Sequence, residues 1–488
     1  MPIPIPAVHD EYNHLLVADT LSHGRLANPT HQFWRHFEAP YVVHRPTYSS
    51  TYPLGQGLML ALGKLLGHPW YGVLLSMAVL LGINTWALRQ WVAPQWALFA
   101  GLVAAFRLGI SSYWIDSYWG GAVSGIGGAM IFGSIPRLLG KPERHHVALA
   151  TAGWSVVWLS RPYESLFIGL ILGLLVAFAS VQSSRTRGIR SLIHVLAPGV
   201  LILSCCFALT AWHNWSVSGN PFALPYQFSQ KIYGVPQNPF WLPPVPEPRL
   251  DLEDLRRLYS WQLGNYEQGK EIQGAAMRIL WNLNRLLSFY LGYPFYVLAV
   301  SLPAVLKKPA VAATLAVGLL GYLWSMLYAF FFPHYMGAYL APLLLVTVES
   351  TRVIRRLSLK GIPLGLWLTA GLLFSAAYAG IAGSRDLQCV GREAREWSMS
   401  KVKAIEKLQS LGGQHLVFVR YGLEHNFHYE WVYNDAEIDQ ATVVWAREID
   451  PHSDAALIDY FAGRRVWVVR ADEDPEPIPY PSGATRIE

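Results

Sequence analysis

The residues of this sequence that could do chemistry are acids and bases set in short polar segments between long apolar runs. Asp10 and Glu11 form an adjacent acidic pair near the start, and Asp116 lies in the aromatic segment 113–119. A partly desolvated carboxylate can take the proton of a hydroxyl group, because desolvation raises its pKa toward the working pH. These carboxylates are therefore candidates for general acid–base chemistry.

Other ionisable side chains lie in further turns and at the end of one apolar run. A charged group at membrane depth costs about 2.5–3.5 kcal/mol, so we expect these groups to line one cavity rather than to face lipid. With the acidic pair, the candidate site residues are Asp10, Glu11, Asp116, Arg161, Glu164, His334, Tyr335 and Arg107.

Each candidate also has a structural explanation. The acidic pair could start a solvated helix, and Asp116 could cap the helix that follows it. The opposite charges of the turn 161–164 could pair with each other. The imidazole and phenol of the turn 332–335 could anchor at the membrane–water interface, and Arg107 could extend its charge to that interface.

The pattern of histidines and cysteines does not support a metal site. The histidines of the first 44 residues have no regular ligand spacing, and the three cysteines form neither a zinc nor a disulfide pattern. We therefore expect no metal and no cofactor, since the ligand spacing does not support a divalent cation.

The elements that must position these residues are membrane helices. Only 14% of the 488 residues are charged, against roughly 25% in a soluble protein. Apolar runs near the spanning length of about 20 residues predict an all-α polytopic domain with about ten transmembrane helices. The runs lie at 70–89, 94–112, 119–139, 146–160, 162–181, 191–211, 286–306, 310–331, 336–350 and 362–382.

Basic residues in the short loops predict the orientation. Clusters of Lys and Arg follow the third, fifth, seventh and ninth runs, which places that side in the cytoplasm. The acidic and basic turns, the proline-rich loop 212–285 and the chain after 383 then lie outside, in a multi-pass protein of the cell inner (plasma) membrane. The basic residues lie in loops rather than on one face, so nucleic acid is not an expected partner.

The chain changes character after residue 384. Strand-like runs at 415–421, 442–446 and 465–470 alternate with helical patterns, which indicates a small α/β domain. The predicted domains are an external first-loop segment with an amphipathic helix (1–69), a transmembrane domain including the loop 212–285 (70–383) and a soluble extracytoplasmic α/β domain (384–488).

Together the motifs resemble the GT-C superfamily of membrane glycosyltransferases, especially bacterial members related to the protein mannosyltransferase and aminoarabinose transferase families. The segment 9–12 is similar to the acidic pair of the family's first external loop, and 52–57 resembles the end of that loop. The Arg-Pro turn 161–162 resembles the family's corresponding turn. The segment 333–335, followed by Ala-Pro at 341–342, resembles the late segment that meets the lipid phosphate.

The resemblance covers roughly residues 9–350 and implies an inverting glycosyltransferase with a carboxylate base. It would move a sugar from a polyprenyl-phosphate-linked donor in the bilayer to an extracytoplasmic acceptor, which could be a glycan, a lipid or a protein. It implies a catalytic role for the acidic pair, with Asp10 as the base, and phosphate binding by Arg161, His334 and Tyr335. The family's first helix does not precede the acidic pair here, so we expect the gene to continue upstream with one more apolar helix.

Two other functions remain open at this point. A transporter or flippase of lipid-linked sugars often shows repeated halves or helices broken at mid-membrane, and the sequence pattern indicates neither. A non-catalytic envelope protein that binds through its α/β domain would leave the acidic pair unexplained.

Overall fold

The long apolar runs form helices, because a helix pairs its own backbone N–H and C=O groups where no water can do so. The computed structural model describes residues 3–187, 189–234, 242–389, 391–422 and 424–481. Within these residues, a bundle of apolar helices joins an N-terminal segment to a C-terminal sheet.

The N-terminal segment contains two helices and a small antiparallel sheet. Its elements are α1 (His9–Ser22), β1 (Asn28–Pro29), β2 (Val42–Val43), β3 (Thr47–Ser50) and α2 (Leu54–Leu65). The strand order is β1-β3-β2. Asp10 and Glu11 lie in the first turn of α1, where negative charge suits the positive end of the helix dipole.

Six helices follow. They are α3 (Pro69–Leu88), α4 (Pro94–Leu108), α5 (Ala122–Gly140), α6 (Arg144–Ser160), α7 (Pro162–Arg187) and α8 (Ile189–Ser218). Proline is the first residue of α3, α4 and α7, a position where its missing N–H costs no hydrogen bond. The predicted division at 161–162 is therefore confirmed: α6 and α7 are separate helices.

The loop after α8 is largely helical. Its elements, with the short helices that follow, are α9 (Pro225–Tyr233), α10 (Glu253–Lys270), α11 (Ile272–Tyr290), a 3₁₀ helix (Tyr293–Ser301) and α12 (Leu302–Val305). The chain bends by 105° between α11 and the 3₁₀ helix. Gly292 at the bend has φ +87°, a conformation that favours glycine.

The last part of the bundle holds a second short 3₁₀ helix tightly against α5. Its elements are α13 (Pro309–Ser325), the 3₁₀ helix Pro333–Tyr339, α14 (Leu340–Ile354) and α15 (Leu364–Ala382). A Cβ atom on Gly128 would lie 2.0 Å from the carbonyl oxygen of Ala338. Only glycine permits this approach, which fixes the 3₁₀ segment carrying His334 and Tyr335.

The chain has several helices suited to a membrane, but the expected ten spans are not confirmed. Among the described residues, six helices are long and apolar enough to cross, or seven if the bent pair counts as one span. The remaining apolar helices α4, α6 and α13 have 15, 17 and 17 residues. At about 1.5 Å per residue they fall short of the roughly 30 Å bilayer core.

The small C-terminal sheet predicted by the alternating pattern is present. Its elements are α16 (Arg392–Ser410), β4 (His415–Arg420), β5 (Val443–Arg447), α17 (Pro451–Tyr460), β6 (Arg465–Arg470) and β7 (Asp474–Pro479). The strand order is β5-β4-β6-β7, and β4 runs parallel to both its neighbours. The antiparallel edge strand β7 was missed because its three prolines are unfavourable in a strand interior.

The N-terminal segment and the C-terminal sheet share one hydrophobic core. Leu16 of α1 and Phe37 pack with Phe418 of β4. The buried side chains of His36 and Asp454 join the two parts by a 3.1 Å contact. Helix α1 therefore packs in the same core as the C-terminal sheet.

Arg447 ties three separate segments together, and its replacement tests their contribution to stability. It contacts Glu430 and lies 3.2 Å from the carboxylate of Asp254, while its Nε donates to the Glu38 carbonyl oxygen at 3.0 Å. We expect Arg447→Met to lower the free energy of unfolding by about 3 kcal/mol, because two carboxylates would lose their buried partner. Thermal melting of the purified protein measures this loss.

The matched control is Arg470→Met. Arg470 is exposed and pairs only loosely with Glu473, at 3.7 Å. Equal melting temperatures for the two variants would show that the Arg447 contacts do not stabilise the fold.

Candidate active site

Asp10 is a half-buried acid on the first turn of α1. Its Oδ1 accepts a hydrogen bond from the Tyr52 hydroxyl. Burial raises the pKa of Asp10, and the hydrogen bond from Tyr52 and the charge of Arg161 oppose that rise. A carboxylate with a raised pKa and one fixed hydrogen bond can take a proton from a neighbouring hydroxyl group.

Arg161 lies at the break between α6 and α7, where Pro162 starts the second helix. Its guanidinium carbon is 4.2 Å from the centre of the Tyr335 ring. Across the described residues this guanidinium forms no hydrogen bond and no ion pair. Its five N–H donors are therefore available to an anion, and their planar arrangement suits a phosphate.

Glu164 and Tyr335 complete a group around these two residues. Glu164 is buried in the first turn of α7, and its charge interacts with that of Arg161. Tyr335 lies within electrostatic range of Asp10, Arg161 and Glu164. We call Asp10, Arg161, Glu164 and Tyr335 the acid–cation group; the structure brings these four predicted residues together.

His334 lies beside the acid–cation group but is held by its own partner. Its backbone N–H donates to the Tyr113 hydroxyl oxygen at 3.1 Å, and its Nδ1 is 2.9 Å from the same oxygen. His334 is buried against aromatic rings, including Phe332 and Trp119.

The carboxylate of Glu11 is not directed at the acid–cation group. Its oxygens accept hydrogen bonds from the backbone N–H groups of Ala7 at 2.7 Å, Val8 at 3.2 Å and Tyr118 at 3.1 Å. Burial raises the pKa of Glu11 to about 7 despite these bonds. Glu11 therefore caps the N-terminus of α1 and links this helix to the aromatic segment 113–119.

Asp116 and Arg107 also have partners elsewhere, so the structure does not bring them to the acid–cation group. Asp116 lies 3.3 Å from Arg395. Arg107 is buried, lies 2.7 Å from Asp386 and donates to the Phe289 carbonyl oxygen at 2.9 Å. Both form contacts between the bundle and the segment that leads to the C-terminal domain.

Sequence reasoning missed several residues beside the group. The Tyr41 hydroxyl accepts a hydrogen bond from Gln262 Nε2 at 2.7 Å, and Tyr226 and Tyr328 share a hydrogen bond through their hydroxyls. Tyr52 was visible as the first residue of the motif 52–57. The other tyrosines occupy no recognisable motif, so only the fold shows that they line the site.

Arg285 of α11 was missed for a different reason. It lies inside a helix rather than in a turn, so its sequence position gave no signal. It donates to the Phe331 carbonyl oxygen at 3.3 Å and lies 5.0 Å from the centre of the Phe332 ring. It therefore adds positive charge behind the segment that carries His334 and Tyr335.

The acid–cation group combines an acid that can hold a proton with a guanidinium that forms no hydrogen bond or ion pair among the described residues. Such a pair can deprotonate a hydroxyl group and bind an anion at the same time. The described residues include no cluster of three or more His, Cys, Asp or Glu side chains suited to a metal ion.

Three solved structures align with this chain. ArnT, the aminoarabinose transferase, from Cupriavidus metallidurans in the apo state aligns with a TM-score of 0.52 and 12% identity, over 96% of this chain and 89% of that chain. An apo oligosaccharyltransferase from Archaeoglobus fulgidus aligns with a TM-score of 0.41 and 10% identity, over 85% and 59% of the two chains. The oligosaccharyltransferase AglB from the same organism was solved in complex with an inhibitory peptide and a dolichol-phosphate. It aligns with a TM-score of 0.37 and 10% identity, over 96% of this chain and 66% of that chain.

No protein-family model and no curated protein matches the sequence. The likeness to ArnT, a GT-C superfamily member, extends over nearly the whole chain. At 12% identity it shows the fold alone. The GT-C resemblance predicted from the motifs is thus confirmed at the level of the fold.

Proposed function

We propose that this chain is a membrane glycosyltransferase that moves a sugar from a polyprenyl-phosphate-linked donor to an extracytoplasmic acceptor. The observation that carries the proposal is the acid–cation group. Asp10, whose pKa is raised, interacts electrostatically with Arg161, which lies far away in sequence. Among the described residues the Arg161 guanidinium forms no hydrogen bond and no ion pair. The GT-C fold supports the same reaction class.

In the proposed reaction, the acceptor hydroxyl oxygen attacks the anomeric carbon of the donor sugar. Asp10 takes the hydroxyl proton, the new glycosidic C–O bond forms and the bond between the anomeric carbon and the phosphate oxygen breaks. The polyprenyl phosphate leaves with the bonding electrons, and Arg161 and Tyr335 stabilise its charge. One direct displacement inverts the anomeric configuration.

The transport alternative gains one observation from the structure. The 105° bend after α11 is a broken or re-entrant helix, a feature common in transporters. The acid–cation group does not lie at that bend, however; the charge nearest to Gly292 is Arg107, which Asp386 neutralises. We therefore favour the transferase.

Release of polyprenyl phosphate distinguishes the two functions. The purified protein would be placed in liposomes with a polyprenyl-phosphate-linked sugar and envelope extract as the source of acceptor. A transferase releases polyprenyl phosphate and forms a new glycoside. Movement of intact donor between leaflets without release would instead support a flippase.

The proposed base predicts an acid-side loss of activity. Asp10 works as a base only when deprotonated, and its pKa is raised above its ordinary value. We expect kcat/KM to fall as the pH decreases through that raised pKa. The measurement is a pH–rate profile, and Asp10→Glu should move its acid-side midpoint because the ordinary pKa values of the two acids differ. A midpoint that stays unchanged would assign the titration to another group.

The proposed orientation predicts where reporter fusions appear. Fusions after Lys141 and Lys308 should report the cytoplasm, because basic loops stay on that side. Fusions after Asp116 and Gly412 should report the outside of the inner membrane. The inverted result would place the acid–cation group in the wrong compartment for an extracytoplasmic acceptor.

A further inference from the structure

A cluster of aromatic rings lies where three distant parts of the chain meet near the candidate site. Trp261 of α10 stacks on Phe330, with ring centroids 5.0 Å apart and planes 19° apart. His428, in the loop between β4 and β5, meets Trp261 edge to face at 4.7 Å, and Phe427 lies beside it at 4.3 Å. We call Trp261, Phe330, Phe427 and His428 the aromatic platform.

The aromatic platform is accessible from outside the protein. The Trp261 side chain is 40% exposed, and the other three rings are half-buried. The rings therefore present surface to a ligand instead of filling a closed core.

Ring contacts lead from the platform toward the acid–cation group. Phe330 lies 6.1 Å from Tyr328, which lies 6.2 Å from Tyr335, the ring beneath Arg161. On the other side the His428 ring is 6.1 Å from that of His9, the residue before Asp10. Ring contacts thus connect the platform to Tyr335 and to the first residue of α1.

The ring edges of the platform carry hydrogen-bonding groups that are free for a ligand. Among the described residues, neither the Trp261 indole N–H nor the His428 ring nitrogens have a hydrogen-bond partner. Burial lowers the pKa of His428, so its neutral ring offers one donor and one acceptor. The platform itself contains no charged side chain.

We propose that the aromatic platform binds a sugar ring of a glycan acceptor and presents its hydroxyl group to Asp10. The C–H faces of a sugar suit aromatic faces, and its hydroxyls suit the free N–H and nitrogen at the ring edges. This inference rests on the proposed transferase function and names the acceptor class for that site. It assigns Phe427 and His428 of the C-terminal domain to acceptor recognition.

A glycan microarray probed with the labelled full-length protein in detergent tests the proposal. We expect the wild-type protein to bind a subset of glycans, and Trp261→Ala and His428→Ala each to weaken that binding roughly tenfold. The matched control is Trp281→Ala on α11, because Trp281 is 67% exposed and lies outside the platform; its binding should equal that of the wild type. Melting temperatures of all variants exclude a loss through unfolding.

Three results would overturn the proposal. The first is a wild-type protein that binds no glycan, and the second is undiminished binding by Trp261→Ala. The third is a peptide array on which the wild-type protein binds and Trp261→Ala does not, since this would make the acceptor a polypeptide.

Binding of undecaprenyl phosphate, measured on the same proteins, separates this inference from the proposed function. Trp261→Ala should retain the wild-type affinity for undecaprenyl phosphate, since the platform serves the acceptor. Loss of glycan binding in the platform variants with no lipid-phosphate binding in the wild type would support the platform and refute the donor. Lipid-phosphate binding by the wild type, together with undiminished glycan binding by the platform variants, would refute the platform alone.

Discussion

Asp10→Asn should reduce sugar transfer by about 10³-fold, because removal of a general base typically costs 10²–10⁴-fold in rate. The amide has nearly the same shape as the carboxylate, and its oxygen can still accept the hydrogen bond from Tyr52. It cannot take a proton at neutral pH. We therefore expect transfer to be lost while polyprenyl phosphate still binds, which single-turnover transfer and lipid-binding assays measure separately.

The control for this variant is Asp251→Asn. Asp251 is exposed and lies 3.5 Å from the exposed Arg35, which is not a member of the acid–cation group. The Asp251→Asn variant should transfer sugar at the wild-type rate. If Asp10→Asn keeps transfer within about threefold of that rate, well below the cost of losing a base, Asp10 is not the base.

Arg161→Gln should weaken binding of polyprenyl phosphate by about 10²-fold, because a charged hydrogen-bonded contact with a phosphate is worth roughly 2–5 kcal/mol. The lost charge should also slow transfer, since the leaving phosphate would no longer be stabilised. Arg161→Lys should recover part of the affinity, because it keeps the charge but loses the planar set of donors. Titration of the lipid phosphate against each purified variant measures these effects.

Arg395→Gln is the matched control for the loss of an arginine. Arg395 is largely exposed and contacts Asp116 rather than the acid–cation group. Its variant should bind polyprenyl phosphate as the wild type does. Equal affinity in Arg161→Gln and Arg395→Gln would show that the phosphate binds elsewhere.

The sequence predicts the helices and the convergence of the acid–cation group because both follow from local rules. Long apolar runs that cross a bilayer form helices. Residues in turns on one side of the membrane lie at similar depths in the bilayer. Asp10, Arg161 and Tyr335 could therefore be expected to meet. The number of spans was harder to predict, because length alone does not show whether a short helix such as α13 crosses the membrane.

Two predicted residues that lie outside the group, Arg107 and Asp116, have partners far away in the chain. Arg107 pairs with Asp386, and Asp116 pairs with Arg395, each 279 residues later. No local pattern indicates such a pairing, since either member alone has the sequence context of a site residue. For the same reason the sequence did not show that α1 shares a core with β4.

A cryo-EM structure of the full-length protein with a bound polyprenyl phosphate tests whether the acid–cation group binds the donor. We expect phosphate density within hydrogen-bonding distance of the Arg161 guanidinium, next to Tyr335 and facing the Asp10 carboxylate. Phosphate density that contacts neither Arg161 nor Tyr335, with the Asp10 carboxylate turned away from it, would refute the proposed site.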